Sequence, residues 1–550
     1  MVYKGSNIVK HEKIQKNTQN DLLSNDINTI LEVSSIAKVY PGTIALEDVN
    51  IKFKSGEVHG IVGKNGAGKS TLVNILSGII RPSNGKIIFY SNKKEFTFLT
   101  PKMAKKEGIN IVTQKPEVIP DFNLVQNLFL PQYKETKIKT IQWKEMFFKA
   151  EKVFEKAGFG IALTRKMSDL TLSEQQIFLI LKAFYIDNQN IVLLDEVTNS
   201  FSKKEQDFFF KLINEQKKSG KSIIFISHRI DEVLSICGRI TVMKDGNVVS
   251  TNRRNSLNKE KICSMIVGKE NYSQAHKENT AFPIQKRKKN VWNKQENTVL
   301  TVEELTREGI FKGINFTLKT GEVLGLAGLV GSGRTEILKA ISGIEPAEKG
   351  WVILKGGTKK KFLNSWDAIQ NGIVYLTENR DEDGLINILS VQKNLTLSYL
   401  VHSAKDFLIK SRKEEKLTKE LIQRFEVITA SPKEEVQNLS GGNRQKVLFG
   451  RVASTEAKVF LLDEPTKGID IAAKEVILKA IREKLSASAG VIVTFPGIDD
   501  LLSVCDRILV LFAGRIICEF EREEFNELEI FQRVQGLITR ETKRNEEKVL

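Results

Sequence analysis

The chain has 550 residues, 41% of them hydrophobic and 27% charged, which is enough for two or three globular domains. No apolar run approaches the length of a membrane-spanning helix, and the N-terminus lacks the apolar core of a secretory signal. Four widely spaced cysteines without a C-x-x-C pair argue against a zinc site or a disulfide framework. We therefore expect a cytoplasmic protein.

The net charge of +17 leaves three interpretations open. A basic protein can bind nucleic acid, lie against an anionic membrane, or carry a solvated coat of lysines. The lysines are spread along the whole chain, and the one dense block, residues 286–289, lies in a charged stretch typical of a linker. The charge alone therefore selects no partner.

After a polar tail at residues 1–28, the first feature with chemical meaning is a glycine-rich turn between an apolar run and a helical pattern. The turn consists of Gly63, Lys64, Asn65, Gly66, Ala67, Gly68, Lys69, Ser70 and Thr71. Strand, loop and helix in this order predict a phosphate-binding loop, in which backbone N–H groups and a helix N-terminus surround phosphate oxygens. Lys69 can reach the β- and γ-phosphates, and the Ser70 hydroxyl can bind Mg²⁺. A glycine turn that binds nothing is the alternative.

Three more buried strands each end in polar residues. The first ends at Gln114, the second at Asp195 and Glu196, and the third at Ser227 and His228. Helical stretches separate these strands, which predicts a mostly parallel α/β sheet with its site at the carboxyl ends of the strands.

The second half of the chain repeats the first. Residues 328–335 repeat residues 63–70 at an offset of 265, and Asp463-Glu464 repeats Asp195-Glu196 at an offset of 268. Such a repeat indicates a tandem duplication. The predicted organisation is a tail, a first domain, a linker, a second domain and a charged tail, with the bounds 1–28, 29–268, 269–297, 298–540 and 541–550.

The motif order in each half resembles the ATP-binding cassette (ABC) of transport ATPases, over residues 30–540. The resemblance implies two tandem P-loop NTPase domains of α/β class that bind ATP and Mg²⁺. Each domain would have a mostly parallel sheet with flanking helices, an antiparallel β subdomain and a helical signature subdomain.

The resemblance also implies roles for residues of the first half. Asp195 would help to hold Mg²⁺, and Gln114 would contact both Mg²⁺ and the attacking water. Glu196 would polarise that water, and His228 would contact the γ-phosphate. Tyr40, just before the first hairpin, would stack on adenine.

In this family two cassettes pair head to tail, so each ATP lies between one phosphate loop and the LSGGQ signature of the other cassette. The second half has this signature as residues 439–443, with Asn at the fifth place, and Ser440, Gly441 and Gly442 would contact the γ-phosphate. In the first half Leu172 and Ser173 replace the two glycines, and Glu174 adds a carboxylate. We expect weak phosphate contact there.

The second phosphate loop keeps its turn but changes its chemistry. It retains Gly331, Gly333 and Thr335, whereas Arg334 replaces the lysine. Glu378 takes the place of Gln114 and Pro496 that of His228, while Glu464 remains. All defects therefore fall in one composite site, which would turn ATP over poorly. Random decay would scatter defects over both sites, so we favour a built-in asymmetry.

The second-half motifs are similar to those of the fused double-cassette ATPases of bacterial importers for ribose, galactose, xylose or nucleosides. These motifs are GLVGSGRTE, LSGGNRQK, DEPTKGID and the run 377–385. The resemblance implies an ATPase that lies on the cytoplasmic face of the inner membrane and energises the import of a monosaccharide or nucleoside. Its partners would be membrane-spanning permease subunits and an extracytoplasmic solute-binding protein, with no nucleic acid. Val197 and residues 495–497 depart from the family pattern.

The main alternative is a soluble tandem ABC ATPase that acts on ribosomes or nucleic acid, as the net charge allows. The short linker, the degenerate site and the lack of zinc-binding cysteines argue against it. A non-enzymatic scaffold is a third possibility, and the complete set of first-half residues disfavours it.

Overall fold

The structure is a computed structural model. It describes residues 28–40, 43–134, 140–268, 298–355, 357, 359–403, 411–455 and 457–537. The predicted tail up to residue 27, the linker and the tail at 541–550 lie outside these ranges. The chain divides into two compact units, Met1–Ile266 and Val267–Leu550, called here the first and the second unit. Within the described ranges, no helix is long and apolar enough to cross a membrane.

The first unit contains two sheets. Its strands are β1 Thr29–Tyr40, β2 Thr43–Lys54, β3 Val58–Val62, β4 Asn84–Phe89, β5 Lys94–Phe96, β6 Ile109–Val112, β7 Ile191–Asp195, β8 Ser222–Ile226, β9 Arg239–Lys244 and β10 Asn247–Arg253. An antiparallel sheet has the order β2-β1-β4-β5, and a six-stranded sheet has the order β10-β9-β3-β8-β7-β6. In the larger sheet all neighbours are parallel except β9 and β10.

Helices connect the strands of the first unit. They are α1 Lys69–Leu76, α2 Pro101–Lys106, α3 Leu124–Phe129, α4 Trp143–Ala157, α5 Leu172–Leu181, α6 Lys203–Lys218, α7 Ile230–Ile236 and α8 Lys259–Val267. The helices α3, α4 and α5 share a separate apolar core that includes Leu128, Phe154 and Phe178. This core corresponds to the predicted helical subdomain.

The second unit repeats the two sheets. Its strands are β11 Thr298–Arg307, β12 Phe311–Lys319, β13 Val323–Ala327, β14 Lys349–Leu354, β15 Lys359–Lys360, β16 Ile373–Leu376, β17 Val459–Leu462, β18 Gly490–Thr494, β19 Arg507–Phe512 and β20 Arg515–Glu521. The sheet orders are β12-β11-β14-β15 and β16-β17-β18-β13-β19-β20, which reproduce those of the first unit. The predicted duplication and fold class are confirmed.

The helices of the second unit follow the same plan. They are α9 Arg334–Ile341, α10 Ser365–Gln370, α11 Val391–Ser403, α12 Ser411–Arg424, α13 Gly441–Ala453, α14 Ile471–Ala480, α15 Ile498–Val504 and α16 Glu527–Val534. The central strands β3, β7, β8, β13 and β18 are buried at every residue. Parallel strands covered by helices on both faces have this continuous apolar pattern.

One structural difference between the units concerns a matched ion pair beside the central strand. In the second unit Arg507 lies 2.7 Å from Glu322, and both side chains are less than a tenth exposed. At the equivalent positions of the first unit Arg239 lies 3.3 Å from Glu57, and both are about a fifth exposed. Removing one partner of a buried pair leaves an uncompensated charge, whereas water can solvate a partly exposed one.

We therefore predict that Arg507→Met destabilises the second unit by about 3 kcal/mol. Arg239→Met, the matched control, should destabilise the first unit less. Hydrogen exchange of the full chain measures the protection of the two units separately. The amides of β13 and β19 report on the second unit, and those of β3 and β9 report on the first. Equal losses of protection in the two variants would contradict the prediction.

Candidate functional site

The loop of the first unit depends on glycines at two close approaches. A Cβ atom on Gly63 would lie 2.3 Å from the Met243 carbonyl oxygen, and one on Gly68 would lie 2.6 Å from that of Ala45. Gly68 also has a φ of 92° and caps α1. The other predicted loop residues, Lys64, Asn65, Gly66, Ala67 and Thr71, lie in the same turn or in the first turn of α1.

Lys69 is buried at the start of α1 and turns back over the loop. Its ammonium group donates to the carbonyl oxygens of Gly63 and Lys64, each at 2.9 Å. Burial lowers the pKa of Lys69, and the charges of Glu196 and Asp195 partly oppose this. The ammonium group thus stabilises the loop. A phosphate oxygen bound in the loop could replace these carbonyl oxygens as its hydrogen-bond acceptor.

Ser70 and Asp195, both predicted from the sequence to hold Mg²⁺, lie side by side. The Ser70 hydroxyl donates to Asp195 Oδ1 at 3.4 Å, and within the described ranges it is the one side chain that donates to this carboxylate. Burial raises the pKa of Asp195 to about 6, with a further contribution from the charge of Glu196. A hydroxyl and an under-paired buried carboxylate are ligands that suit Mg²⁺, so these residues fit the ion.

Glu196 follows β7 with a φ of 50°, in the left-handed region. Its Oε2 atom accepts from Gln114 Nε2 at 3.0 Å and from Asn199 Nδ2 at 3.3 Å, and His228 Nδ1 lies 3.7 Å away. Burial acts to raise the pKa of Glu196, but contacts with His228 and the charge of Lys69 outweigh it, so the pKa is lowered. The carboxylate is thus ionised and held by neutral amides.

Tyr40 lies apart from this cluster. It ends β1, is more than a third exposed, and has the Lys38 ammonium 4.9 Å from its ring centroid. Its ring is thus accessible, as stacking on a base requires, and its role stays a prediction.

In the second unit the loop has the same backbone but a different side-chain arrangement. Gly331 and Gly333 have φ values of 79° and 100°, and Gly333 caps α9. Arg334 extends across the site: its Nη1 donates to the Phe495 carbonyl at 2.9 Å, and its Nη2 lies 3.4 Å from Glu464 Oε1. The guanidinium group therefore occupies the space beside Glu464.

Glu464 adopts a φ of 43°, close to that of Glu196, but has charged neighbours. Lys467 lies 3.5 Å from Glu464 Oε2 and also pairs with Glu378. Lys467 stands at the position of Asn199 and Glu378 at that of Gln114. Two cations thus surround Glu464 where two amides surround Glu196.

The second-unit signature begins α13 with an open N-terminus. Ser440 is the N-cap, and its hydroxyl oxygen accepts from Asn443 Nδ2 at 3.0 Å. Arg380 Nη1 donates to the Gly441 carbonyl at 2.9 Å. A Cβ on Gly442 would lie 2.5 Å from Asp470 Oδ2, so a larger residue there would displace the Asp470 side chain, which caps α14.

In the first-unit signature, the carboxylate of Glu174 lies at the N-terminus of α5. Glu174 Oε2 accepts from the Thr171 backbone N–H at 2.8 Å, in a capping box. The Ser173 hydroxyl donates to Glu205 at 2.6 Å, and Leu172 is 63% exposed. The helix end that would meet a phosphate is therefore already negative.

Four contacts were not found from the sequence. They involve Asn199, Lys467, Tyr375 and Thr494, each of which touches a carboxylate at the end of β7 or β17. Aligning the halves at the offset of 268 pairs Asn199 with Lys467 and Thr494 with Ile226, so this comparison contained a signal for three of them.

A phosphate loop beside acidic strand ends of a parallel sheet, present twice, defines a P-loop ATPase with two nucleotide-binding units. Residues 46–199 and 311–467 match the family model described as "ABC transporter". The chain belongs to this family, as a tandem of two ATP-binding cassettes.

Curated relatives match nearly the whole chain. The galactose/methyl galactoside import ATP-binding protein MglA of Fusobacterium nucleatum is 36% identical over 92% of this chain and 98% of its own length. The xylose import ATP-binding protein XylG of Moorella thermoacetica is 34% identical over 91% and 98%. The ribose import ATP-binding protein RbsA of Bacillus licheniformis is 32% identical over 90% and 97%.

The raised pKa of Asp195 predicts how divalent cation binding depends on pH. Above about pH 6 the carboxylate is charged and can hold the ion, and below that value a proton competes. The affinity of the first unit for Mn²⁺, followed by electron paramagnetic resonance, should therefore fall as the pH drops through about 6.

The control is Glu196→Gln, which removes the neighbouring negative charge and should move this midpoint to lower pH. A wild-type midpoint near the ordinary aspartate pKa of about 3.9 would be incompatible with the raised pKa of Asp195.

Proposed function

We propose that this chain is the ATP-hydrolysing subunit of an importer for a monosaccharide, with one competent and one degenerate ATP site. The proposal assigns residues 29–268 and 298–540 to the two ABC domains, joined by the linker 269–297. The observation that carries it is the convergence of Lys69, Ser70, Asp195, Glu196 and His228 at one strand edge of a chain whose relatives are import proteins.

In the first unit the loop N–H groups and Lys69 would bind the β- and γ-phosphates. Ser70, Asp195 and Gln114 would hold Mg²⁺, which neutralises charge on the phosphate oxygens when bound. Tyr40 would stack on the adenine ring. Lys69 and Ser70 lie at the loop, and Asp195 contacts Ser70, whereas Gln114 contacts Glu196 at the neighbouring strand end.

Glu196 is our choice for the general base. Its lowered pKa keeps it ionised at neutral pH, so it can accept a proton from an attacking water. Gln114 and Asn199 fix its orientation through neutral hydrogen bonds, which leave its charge in place. His228, 3.7 Å away, would hold the γ-phosphate.

The two cassettes would pair within the chain, head to tail. The loop of the first unit would then work with Ser440, Gly441 and Gly442, whose helix N-terminus is capped by the neutral Ser440 hydroxyl. The loop of the second unit would face Glu174, whose carboxylate repels phosphate. In that second site, cations pair with Glu464 and no histidine follows β18, so hydrolysis there would be slow.

Permease subunits would dock on the cassettes from the membrane side. The second unit has a cavity of about 490 Å³ between its sheet and its helical part, lined in part by Ile344, Ser365, Tyr375 and Leu448. Beside it on the chain, Leu363 and Trp366 are more than half exposed. Exposed apolar side chains next in sequence to a cavity of mixed polarity suit a short amphipathic helix of another protein. We place a permease contact there.

The ATPase would act at the cytoplasmic face of the membrane. Import of the solute would also involve an extracytoplasmic solute-binding protein. The curated relatives are named for import of ribose, galactose and xylose, which narrows the proposed solute to a monosaccharide. The same names favour an importer over a ribosome- or nucleic-acid-dependent ATPase.

Affinity purification of the tagged chain from gently solubilised membranes of its native cell should recover permease subunits. Their solute-binding protein should then be stabilised against heat by a pentose or hexose, because ligand binding stabilises the folded state. Recovery of ribosomes or nucleic acid without a membrane protein would reject the importer.

Hydrolysis should depend on the two units unequally. Glu196→Gln should lower the ATPase rate of the purified complex by about 100-fold or more, because the general base is lost. The matched substitution Glu464→Gln should have a much smaller effect. The Glu464 carboxylate is already paired with Arg334 and Lys467 and is therefore a poor general base.

A second matched pair controls for effects of the carboxylates alone. Lys69→Ala should lower turnover strongly, and Arg334→Ala should lower it far less, since only Lys69 lies at a competent loop. Thermal melting of each variant checks the fold. Equal losses within either pair would remove the basis for the asymmetry.

A further inference from the structure

The carboxylate of Asp463, at the end of β17, is enclosed by hydroxyl groups. Thr494 Oγ1 lies 2.7 Å from Oδ1, and the Tyr375 hydroxyl lies 3.0 Å from Oδ2. Thr335, the counterpart of Ser70, lies beside the same carboxylate. A carboxylate has about four acceptor positions, and Thr494 and Tyr375 use two of them in addition to the loop hydroxyl. Asp463 is fully buried.

The direction of the Thr494 hydrogen bond is fixed by its other partner. The backbone N–H of Glu464 donates to Thr494 Oγ1 at 2.9 Å. Because an N–H group can only donate, the hydroxyl oxygen accepts there and its hydrogen points to Asp463. The donor is therefore built into the strand end, where it competes with any cation for Oδ1.

The first unit lacks both donors. Ile111 stands at the position of Tyr375, three residues before the glutamine or glutamate that ends the strand, and Ile226 stands at that of Thr494. In the first unit the Glu196 N–H donates to the Ile226 backbone carbonyl instead. Asp195 consequently keeps its acceptor positions for an ion, apart from the one used by Ser70.

The direct partners of the two glutamates also differ. Arg334 and Lys467 lie 3.4 and 3.5 Å from Glu464, and Lys467 pairs with Glu378 as well. Glu196 is bonded to the neutral amides of Gln114 and Asn199, while Lys69, the counterpart of Arg334, donates to the loop carbonyls. A divalent cation in the second unit would meet like charges and a carboxylate that is already hydrogen-bonded.

We propose that the loop site of the second unit takes no divalent cation, because Arg334 and Lys467 hold Glu464, and the hydroxyls of Tyr375 and Thr494 hold Asp463. A nucleoside triphosphate bound there would be held free of metal. The inference rests on the proposed nucleotide-binding function, and it says which of the two sites is metal-dependent. The residues of the second unit do not fit Mg²⁺, whereas those of the first unit do.

The test counts Mn²⁺ ions on the full chain in its complex. Mn²⁺ replaces Mg²⁺, a non-hydrolysable ATP analogue is present at saturation, and bound ions are counted by electron paramagnetic resonance. One ion per chain is expected. Asp195→Asn should remove this ion, and Asp463→Asn should leave the count unchanged. A thermal melt confirms that each variant is folded.

Two ions per chain in the wild type, or loss of an ion in Asp463→Asn, would overturn the inference. The wild-type count needs no variant, so it stands even if a substitution unfolds the chain. Failure of the proposed function gives a different pattern. If the Asp195→Asn variant still binds one Mn²⁺ ion, the first unit is not the metal-dependent site. The ion count of Asp463→Asn still reports on the second unit.

Discussion

Each unit has to bury two adjacent carboxylates at the carboxyl edge of a parallel sheet, and the rest of the site depends on how their charge is compensated. In the first unit Lys69 holds the loop and its charge acts on both carboxylates, while Glu196 is bonded to amides. This leaves negative charge that a metal ion can neutralise. In the second unit Arg334 and Lys467 contact Glu464 directly, and Lys467 also pairs with Glu378.

The backbone has nearly the same conformation at the matched glutamates and glycines of the two units, so the chemical difference there comes from the side chains. The glutamates after β7 and β17 have φ values of 50° and 43°, and the glycines that cap α1 and α9 have values of 92° and 100°. Left-handed backbone at a non-glycine residue costs free energy and persists only when the surrounding structure imposes it. The fold therefore retains the geometry of the site even where its chemistry has changed.

The sequence predicted the duplication, the sheet class and the acidic strand ends, since these follow from local apolar runs and motif spacing. It did not predict the hydroxyl donors to Asp463. Tyr375 and Thr494 lie on β16 and β18, and they meet at Asp463 only because both strands flank β17 in the sheet. Strand order and register are tertiary properties. Likewise, Arg334 was evident as a replacement for lysine, but its reach to Glu464 depends on the folded site.

The replaced residues of the degenerate motifs make new bonds, which argues against simple decay. Arg334 is bonded to Glu464, Lys467 forms an ion pair with Glu378, and Thr494 donates to Asp463. Glu174 caps its own helix. Loss of function alone would leave buried polar groups without partners, and this costs free energy. Here Arg334, Lys467 and Asp463 each have a partner, although the buried Ser332 hydroxyl of the same loop has none within the described residues. A site whose carboxylates already have partners does not depend on a metal ion to neutralise them. The second unit can therefore keep its shape while, in our proposal, the first unit carries out the chemistry.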